Sequence, residues 1–343
     1  MQTLMRAFVC QQYGQPSQLQ LKQVNLPEPG ADEVRVQIVA AGVNYPDLLS
    51  IAGEYPIPSK PPFIPGVEGA GVVIACGPDV THVRVGDRVC WQNNVVKGSF
   101  AEEIVLPEAG LAIVPSGINL QQAACIPTTY GTAHFALTHR AALQAGETVL
   151  IHGASGGVGS AAVQLAKAMG AFVIATTSSN AKAASLRQLG ADEVINTQTP
   201  NLRDAILQAS PQHGVDIALD PVGGELFDVS VRVLRPYGRL LTVGYTSGVF
   251  PSVKANILLV KAISVIGVNY GHYLHNQPHN ARDAITNVLA KIKTGHIQPR
   301  IDASFTFEQV PAALEHLTSR QVVGKIVITI RPDLDHDQTS RLA

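Results

Sequence analysis

Four closely spaced glycines are the residues whose type and spacing most directly indicate chemistry. They stand at positions 153, 156, 157 and 159, after an apolar run at 149–151 and before apolar side chains at helical spacing. Glycine allows a sharp turn and close approach to a ligand, and the N–H groups that begin a helix attract anions. A surface loop would also tolerate such glycines. Their place between a buried strand and an amphipathic helix instead predicts a turn that binds the pyrophosphate of a dinucleotide.

The residues after the next predicted strand indicate which dinucleotide this is. An NAD site usually places an Asp or Glu ~20 residues beyond the glycines, where it binds the ribose hydroxyls. Positions 173–191 contain no acid, and the first carboxylate is that of Asp192. Hydroxyl side chains fill 176–179 and are followed by Lys182 and Arg187. These cations would also suit a solvated helix face. Because an acid would repel a 2′-phosphate that hydroxyls and a lysine would bind, the sequence predicts NADPH.

The elements predicted around the glycine turn alternate between strands and helices. From about Pro127 onward, helical patterns separate apolar runs at 171–176, 193–195, 215–219, 239–243 and 262–268. With the run at 149–151 they make six strands with crossover helices, the doubly wound parallel sheet of an α/β fold. Such a sheet binds its ligand at the carboxyl ends of its strands. Helices near 280–294 and 308–319 and a strand at 325–330 are predicted to return to the first domain.

The length of 343 residues and the overall composition are those of a globular protein of about two domains. Residues 1–125 contain short apolar or alternating runs between Pro- and Gly-rich turns, which is typical of a small, irregular β-barrel. A formal net charge of −1 gives no electrostatic case for nucleic acid or an anionic membrane. No apolar run approaches the ~18 residues of a spanning helix. The start of the chain lacks the apolar core of a signal peptide, so we expect a cytoplasmic protein.

An ordered set of sequence pieces resembles one known family over nearly the whole chain. The pieces are AAGVNYPDLL, IPGVEGAGVV, VGDRV, TTYGTAHFAL, HGASGGVGSAAVQLAK and SVIGVNYG. They resemble the medium-chain dehydrogenase/reductase superfamily, specifically its zinc-free NADPH:quinone oxidoreductase branch. The resemblance implies a doubly wound Rossmann parallel sheet plus a GroES-like, mostly-β barrel domain. It implies a GroES-like substrate domain at 1–126 and 270–343 and a Rossmann dinucleotide-binding domain at 127–269.

The positions at which zinc-dependent relatives hold their metal carry other residues in this chain. Those relatives have a Cys–His pair where Asn44 and Tyr45 stand, and a His where Val67 precedes Glu68. Cys125 lies near the third ligand position, but one thiol and one carboxylate do not make a three-ligand catalytic site. The segment at 91–100 is too short for the structural-zinc lobe. The sequence therefore predicts no metal.

Three histidines near position 275 are a second place where a metal could be sought. His272, His275 and His279 are loosely spaced, Pro278 interrupts them, and no acid or cysteine is adjacent. The pattern favours a solvated loop.

The resemblance also implies the residues of the site. Asn44 and Asp47 match an N-x-x-D beside the nicotinamide, and Tyr55 matches a tyrosine of the substrate pocket. A loop-capping role is the alternative for each of the first two residues. The cofactor contacts implied by the resemblance are Asn44, Thr132, Ser155, Gly156, Gly157, Val158, Thr177, Ser178, Lys182, Gly244, Tyr245, Val268, Asn269, Tyr270 and Lys325. Thr197 is a further candidate and a departure, because relatives often carry a tyrosine or histidine at this position against the adenosine phosphate.

The chemistry predicted for such a site is hydride transfer from NADPH to an already electrophilic acceptor. A quinone or an α,β-unsaturated carbonyl qualifies, because conjugation spreads the developing charge onto oxygen, where a hydrogen bond stabilises it. Asn44 is a neutral amide that can donate such a bond. An enoyl-thioester (acyl-CoA) reductase and a non-enzymatic NADPH-binding protein are the alternatives. The apolar run at 262–268 lies at the predicted edge of the sheet, and the resemblance implies that this edge pairs in a homodimer.

Overall fold

The chain folds into two compact units. The structure is a computed structural model in which residues 4–93, 98–319 and 321–335 are described. Of the described residues, the first unit contains 4–93, 98–128, 271–295, 299–319 and 321–335, and the second contains 129–270 and 296–298. The predicted Rossmann domain begins at 127, whereas residues 127 and 128 lie in the first unit of the structure. There the Thr128 N–H donates to Glu68. Tyr270 belongs to the second unit, where its ring packs 6.0 Å from that of Phe135.

Fifteen strands lie within the described residues. In chain order they are β1 Leu4–Val9, β2 Gln20–Asn25, β3 Glu33–Val43, β4 Glu68–Cys76, β5 Arg88–Gln92, β6 Glu103–Pro107, β7 Ala112–Ile113, β8 Thr148–Ile151, β9 Phe172–Thr177, β10 Glu193–Asn196, β11 Val215–Asp220, β12 Leu234–Thr242, β13 Ser264–Gly267, β14 Ile301–Thr306 and β15 Lys325–Thr329.

The α-helices of the described residues number eleven. They are α1 Tyr45–Ala52, α2 Leu120–Ala123, α3 Thr129–His134, α4 Gly157–Ala168, α5 Ala183–Gln188, α6 Leu202–Ala209, α7 Glu225–Val233, α8 Ala255–Lys261, α9 Tyr270–Asn276, α10 Pro278–Lys293 and α11 Val310–Thr318. A π-helix, Phe135–Arg140, continues α3. None of the described helices is long and apolar enough to cross a membrane.

The second unit is built on a six-stranded parallel sheet. The strand order is β10-β9-β8-β11-β12-β13, and every neighbouring pair is parallel. The doubly wound sheet predicted from the six apolar runs is thereby confirmed. Its central strands are continuously apolar because helices cover both faces of such a sheet. β8 lies at the centre, so the glycine turn that follows it stands where the strand order reverses.

The first unit is built mainly on antiparallel strands. Its larger sheet has the order β14-β15-β3-β4-β5-β7, with β6 paired to β3, and β1 and β2 form a separate hairpin. The long strand β3 contacts β4, β6 and β15, and the sheet packs on a core that includes Trp91, Phe100 and Phe307. The mostly-β first domain is confirmed. The elements α10, α11 and β15 lie within this unit.

The histidine segment differs from its prediction. Instead of a solvated loop, residues 270–276 form helix α9, and α10 starts immediately afterwards with Pro278 in its first turn. Proline suits this place because the first helical N–H has no partner within the helix. The interruption that indicated a loop is therefore the start of a helix. The segment at 91–100, which is too short for a structural-zinc lobe, is described only in part, because residues 94–97 lie outside the described residues.

Candidate functional site

The glycine turn of the second unit has the geometry of a phosphate site. Gly153 lies in the left-handed region with φ of 55°, and a Cβ at Gly159 would overlap the Gly153 carbonyl oxygen. These two positions therefore require glycine for the turn and for close packing. A Cβ at Gly156 would meet only that same oxygen, at 3.4 Å, so the outer side of the turn is open.

The start of helix α4 presents backbone donors on the turn. The first helical hydrogen bond runs from the Ser160 N–H to the Gly156 carbonyl at 2.9 Å. The N–H groups of Gly157 and Val158 precede that bond and have no acceptor within the helix. Together with the positive end of the helix dipole, they fit a pyrophosphate. Ser155, at the apex of the turn, is partly exposed.

The end of β9 carries the hydroxyls predicted for the 2′-phosphate. Thr177 is buried, its carbonyl accepts the Thr197 N–H at 2.9 Å, and its Oγ1 accepts the Ser179 N–H at 3.3 Å. Ser178 is exposed beside it, and Lys182 lies half-buried in the next turn. Thr177 and Thr197 thus shape the backbone, whereas Ser178 and Lys182 present polar groups at the surface.

The first acid after β9 is engaged elsewhere. One oxygen of Asp192 accepts from the Lys167 ammonium at 2.5 Å, and the other accepts the Val173 N–H at 2.8 Å. Val173 lies near the start of β9, and the 2′-hydroxyl of a dinucleotide would lie at its carboxyl end. The donor set therefore fits NADPH, because this carboxylate holds the opposite end of the strand.

Two further strand ends lie on the same edge of the sheet as the glycine turn. Gly244 and Tyr245 follow β12, and the Tyr245 hydroxyl accepts from Thr242 at 3.2 Å. Val268 and Asn269 follow β13. The structure brings these residues to the cofactor edge because all six strands run parallel.

Two of the predicted cofactor residues lie on or against helix α3. Tyr270 is buried, with its hydroxyl packed so closely on Gly131 that a Cβ there would overlap it. Thr132 is partly buried on α3 beside Gly131. Cofactor contact by either residue stays a prediction.

A buried histidine beneath the glycine turn was missed from the sequence. His152 is fully buried, with Nδ1 2.8 Å from Thr176 Oγ1 and Nε2 2.9 Å from Ser230 Oγ. Burial lowers its pKa to about 4, so the ring is neutral at pH 7. It joins β8 to β9 and α7. The available signal was a lone polar residue between an apolar strand and the turn.

In the first unit, Asn44 and Asp47 cap helix α1. Asn44 is its N-cap, and Asp47 Oδ2 accepts the Asn44 N–H at 2.8 Å. The other oxygen, Oδ1, accepts the Val67 N–H at 3.0 Å, and no part of Asp47 is exposed. The capping alternative therefore describes the bonds that Asp47 makes. Tyr55, beyond the end of α1, is partly buried.

Asn44 also belongs to a buried charge cluster with Glu68 and Lys325. The Lys325 ammonium donates to Asn44 Oδ1 at 2.7 Å and to the Val43 carbonyl at 2.7 Å, and it lies 2.8 Å from Glu68 Oε1. Asn44 Nδ2 donates to the same Glu68 oxygen at 2.8 Å and to the Gly42 carbonyl at 3.3 Å. Contact of Lys325 with a cofactor would require breaking one of these bonds. That role stays a prediction.

Burial shifts the pKa values of ionisable groups around this cluster. Burial raises the pKa of Asp47 to about 7, although the Asn44 N–H and the Lys325 charge favour its ionised form. Burial and the charge of Asp47 also raise the pKa of Tyr55, so its hydroxyl keeps its proton at pH 7. Burial raises the pKa of Cys125 to about 12, which makes it a neutral thiol.

The donor set at the positions of the zinc ligands does not fit a metal. Asn44 and Val67 are not zinc ligands, Glu68 is paired with the Lys325 ammonium, and the thiol of Cys125 does not by itself make a three-ligand site. No group of three His, Cys, Asp or Glu side chains suited to a metal ion occurs in the described part of the chain.

Comparisons with known proteins agree with this architecture. The family model for the alcohol dehydrogenase GroES-like domain matches residues 30–116, and that for zinc-binding dehydrogenases matches residues 157–290. The chain is 37% identical to quinone oxidoreductase-like protein 2 of Rattus norvegicus over 328 residues, covering 95% of this chain and 92% of the relative.

Two solved structures are similar over nearly their whole lengths. A quinone oxidoreductase of Pseudomonas syringae has a TM-score of 0.87 and 30% identity, with 95% of this chain and 99% of that one covered. The Escherichia coli quinone oxidoreductase, solved in complex with NADPH, has a TM-score of 0.85 and 27% identity, with 95% and 99% covered.

The fold and the glycine turn together define an oxidoreductase that binds a nicotinamide dinucleotide. A GroES-like unit accompanies a doubly wound sheet, and quinone oxidoreductases match both. The chain belongs to the medium-chain dehydrogenase/reductase superfamily, in its quinone oxidoreductase branch.

Proposed function

We propose that the chain is a zinc-independent, NADPH-dependent reductase of quinones or α,β-unsaturated carbonyls. The observation that carries this proposal is the set of side chains at the positions where zinc-dependent relatives hold their metal. Asn44 and Val67 are not zinc ligands, and Glu68, beside Val67, is paired with the Lys325 ammonium. This chain therefore offers no three-ligand set for a Lewis acid at these positions. An acceptor reduced without a Lewis acid must already be electrophilic, which a conjugated carbonyl is.

The second unit supplies the cofactor contacts in this proposal. The N–H groups of Gly157 and Val158 bind the pyrophosphate, and Ser178 and Lys182 bind the 2′-phosphate. Bound NADPH would supply the hydride. The strand ends at 244–245 and 268–270, with Thr132, hold the nicotinamide end. Engagement of Asp192 with Lys167 supports NADPH over NADH, because no other acid occurs at 173–191.

The first unit supplies the acceptor contacts. Asn44 and Asp47 hold the start of α1 and therefore the segment that leads to Tyr55. Tyr55 keeps its proton at pH 7 and can donate to an acceptor oxygen. Asn44 and Asp47 act on the reaction by position in this proposal, since their side chains form hydrogen bonds with other groups of the protein.

The test is a steady-state screen of NADPH and NADH against a quinone, a 2-alkenal and a crotonyl thioester, with and without a chelator. We expect turnover of the first two acceptors with NADPH that survives chelation. Preference for the thioester would favour the enoyl-thioester reductase. Absence of even single-turnover NADPH oxidation would favour the non-enzymatic alternative, and loss of activity on chelation would contradict zinc independence.

We also propose that two copies of the chain associate through strand β13. β13 is the edge strand of the parallel sheet and is only partly buried. On the neighbouring helix α8, Leu259 is 81% exposed and Val260 is 83% exposed. An uncovered edge with apolar neighbours is a surface that proteins usually cover. A cytoplasmic location of this homodimer stays a prediction.

A further inference from the structure

Thr128 carries a buried hydroxyl for which the fold provides no partner. The residue is 7% exposed, and Thr128 Oγ1 has no hydrogen-bond partner among residues 4–93, 98–319 and 321–335. Its backbone is fixed, because the Thr128 N–H donates to Glu68 Oε2 at 2.8 Å. A buried polar atom without a partner costs stability, and such atoms are rare in folded proteins. The hydroxyl is therefore a candidate to bind something that is not part of the chain.

The other donors gathered at Glu68 are already used. Lys325 gives its three hydrogens to Val43, Asn44 and Glu68. Asn44 gives its two amide hydrogens to Glu68 and Gly42. The Thr128 hydroxyl is the donor of this set that the cluster leaves available.

We propose that the Thr128 hydroxyl donates a hydrogen bond to the carbonyl oxygen of the acceptor, a quinone or an α,β-unsaturated carbonyl. The inference rests on the proposed function and assigns to Thr128 the role that the sequence suggested for Asn44. A neutral hydroxyl held by a fixed backbone can stabilise the charge that develops on oxygen, and it needs no proton transfer to do so. Glu68 then positions this donor through the Thr128 N–H.

A purely structural role for the hydroxyl predicts the opposite effect on stability. Replacing Thr with the equally shaped Val removes the hydroxyl and keeps the packing. If the hydroxyl is unpaired in the ligand-free protein, its removal eliminates a desolvation cost, so Thr128→Val should have the same or a higher Tm. If the hydroxyl holds the fold together, the same change should lower the Tm.

The experiment compares Thr128→Val, Thr128→Ser and Thr286→Val with the wild-type full chain. Thr286 is an exposed residue of α10 whose hydroxyl donates to the Arg282 carbonyl, so it is a matched Thr→Val control. We expect Thr128→Val to keep or raise the Tm and to lower kcat/KM for quinone or enone by roughly tenfold to a hundredfold. The Kd for NADPH, measured by fluorescence titration, should stay within about twofold. Thr128→Ser, which keeps the hydroxyl, should retain most of kcat/KM, and Thr286→Val should match the wild type.

Two outcomes would overturn the inference, and a separate one concerns the proposed function. A lower Tm of Thr128→Val with unchanged kcat/KM would show a structural hydroxyl, and equal loss in Thr128→Ser would show that the hydroxyl is not the cause. If the wild type reduces no acceptor, the proposed function fails. In that case, calorimetric titration of 2-cyclohexenone and 1,4-naphthoquinone into the NADP⁺-loaded wild type and Thr128→Val tests whether the Thr128 hydroxyl binds the acceptor. Weaker binding by Thr128→Val supports its role, and equal or undetectable binding in both proteins contradicts it.

Discussion

Lys182 is the side chain that separates the two nicotinamide cofactors in the proposed site. It lies in the turn after β9 beside the exposed Ser178. Because an ammonium pairs with the extra phosphate, which NADH lacks, Lys182→Ala should raise the KM for NADPH about tenfold and leave that for NADH nearly unchanged. Steady-state kinetics with both cofactors checks this. Arg187→Ala, a cation farther along the same turn and helix, is the control, and equal effects of Lys182→Ala on NADPH and NADH would argue against the phosphate pocket.

Glu68 and Lys325 should behave as one unit when they are changed. Lys325 is 5% exposed and Glu68 is completely buried, so removal of one partner leaves a buried, uncompensated charge. Lys325→Met and Glu68→Gln alone should each lower the free energy of unfolding by about 3–5 kcal/mol, whereas the double variant should lose much less than their sum. Denaturant unfolding of all four proteins measures the coupling. Additive single losses would mean that the two side chains do not interact as the structure shows.

The charge cluster also marks the limit of what the sequence predicts about this site. Asn44, Asp47 and the glycine turn could be found because each lies within a short pattern. The Glu68–Lys325 pair joins residues on β4 and β15 that are far apart in sequence, and only the pairing of both strands with β3 brings them together. Similarly, the engagement of Asn44's donors depends on that tertiary contact. Residue type alone indicated a free amide.

At the scale of elements, the predicted β-α-β order follows from the local pattern. Strand β8 is fully buried, and its apolar run, the glycines and the spacing of α4 all indicate the same local structure. The prediction of a loop at the histidine segment was wrong for a physical reason. Pro278 indicates that a preceding helix ends, but it does not show whether a loop or a new helix follows. The hydrogen bonds of His152 could not be predicted, because its partners Thr176 and Ser230 belong to other elements.

His152 joins three elements, so its protonation should alter the stability of the second unit. Its pKa is lowered from 6.5 to about 4 by burial, so the unfolded chain binds a proton more readily than the folded one. Its contribution to stability is therefore fully present above pH 6.5 and is lost as the pH falls towards 4, by up to about 1.4 kcal/mol per pH unit. His152→Asn should be less stable than the wild type at pH 7, and this difference should shrink at pH 5.

The difference between the two proteins is the quantity to measure, because Asp47 acts in the opposite direction. Its pKa is raised to about 7, so its contribution is present at low pH and is lost as the pH rises through 7. This effect is common to wild type and His152→Asn and cancels in the difference. A difference in unfolding free energy that stays constant from pH 7 to pH 5 would mean that His152 is not held neutral.

At the scale of the whole molecule, the open edge of the parallel sheet predicts how two copies associate. The Val268 N–H donates inward to the Thr242 carbonyl on β12 at 3.0 Å. Backbone groups alternate in direction along a strand, so the N–H of Ile266 points inward and that of Val265 points outward. Pairing of β13 with a second copy would use the outward groups. Val265 is therefore a position where the edge can be changed without breaking the ladder to β12.

Val265→Pro should convert the dimer into a monomer. Proline removes the outward N–H and is tolerated at a sheet edge where that group is not used by the neighbouring strand. Val265→Thr is the control, because it keeps the N–H and the β-branched shape. Sedimentation equilibrium should give twice the chain mass for the wild type and Val265→Thr, and the chain mass for Val265→Pro, with an unchanged Kd for NADPH as evidence of an intact sheet. A Val265→Pro protein that remains dimeric would locate the interface away from β13, and a monomeric wild type would exclude the homodimer.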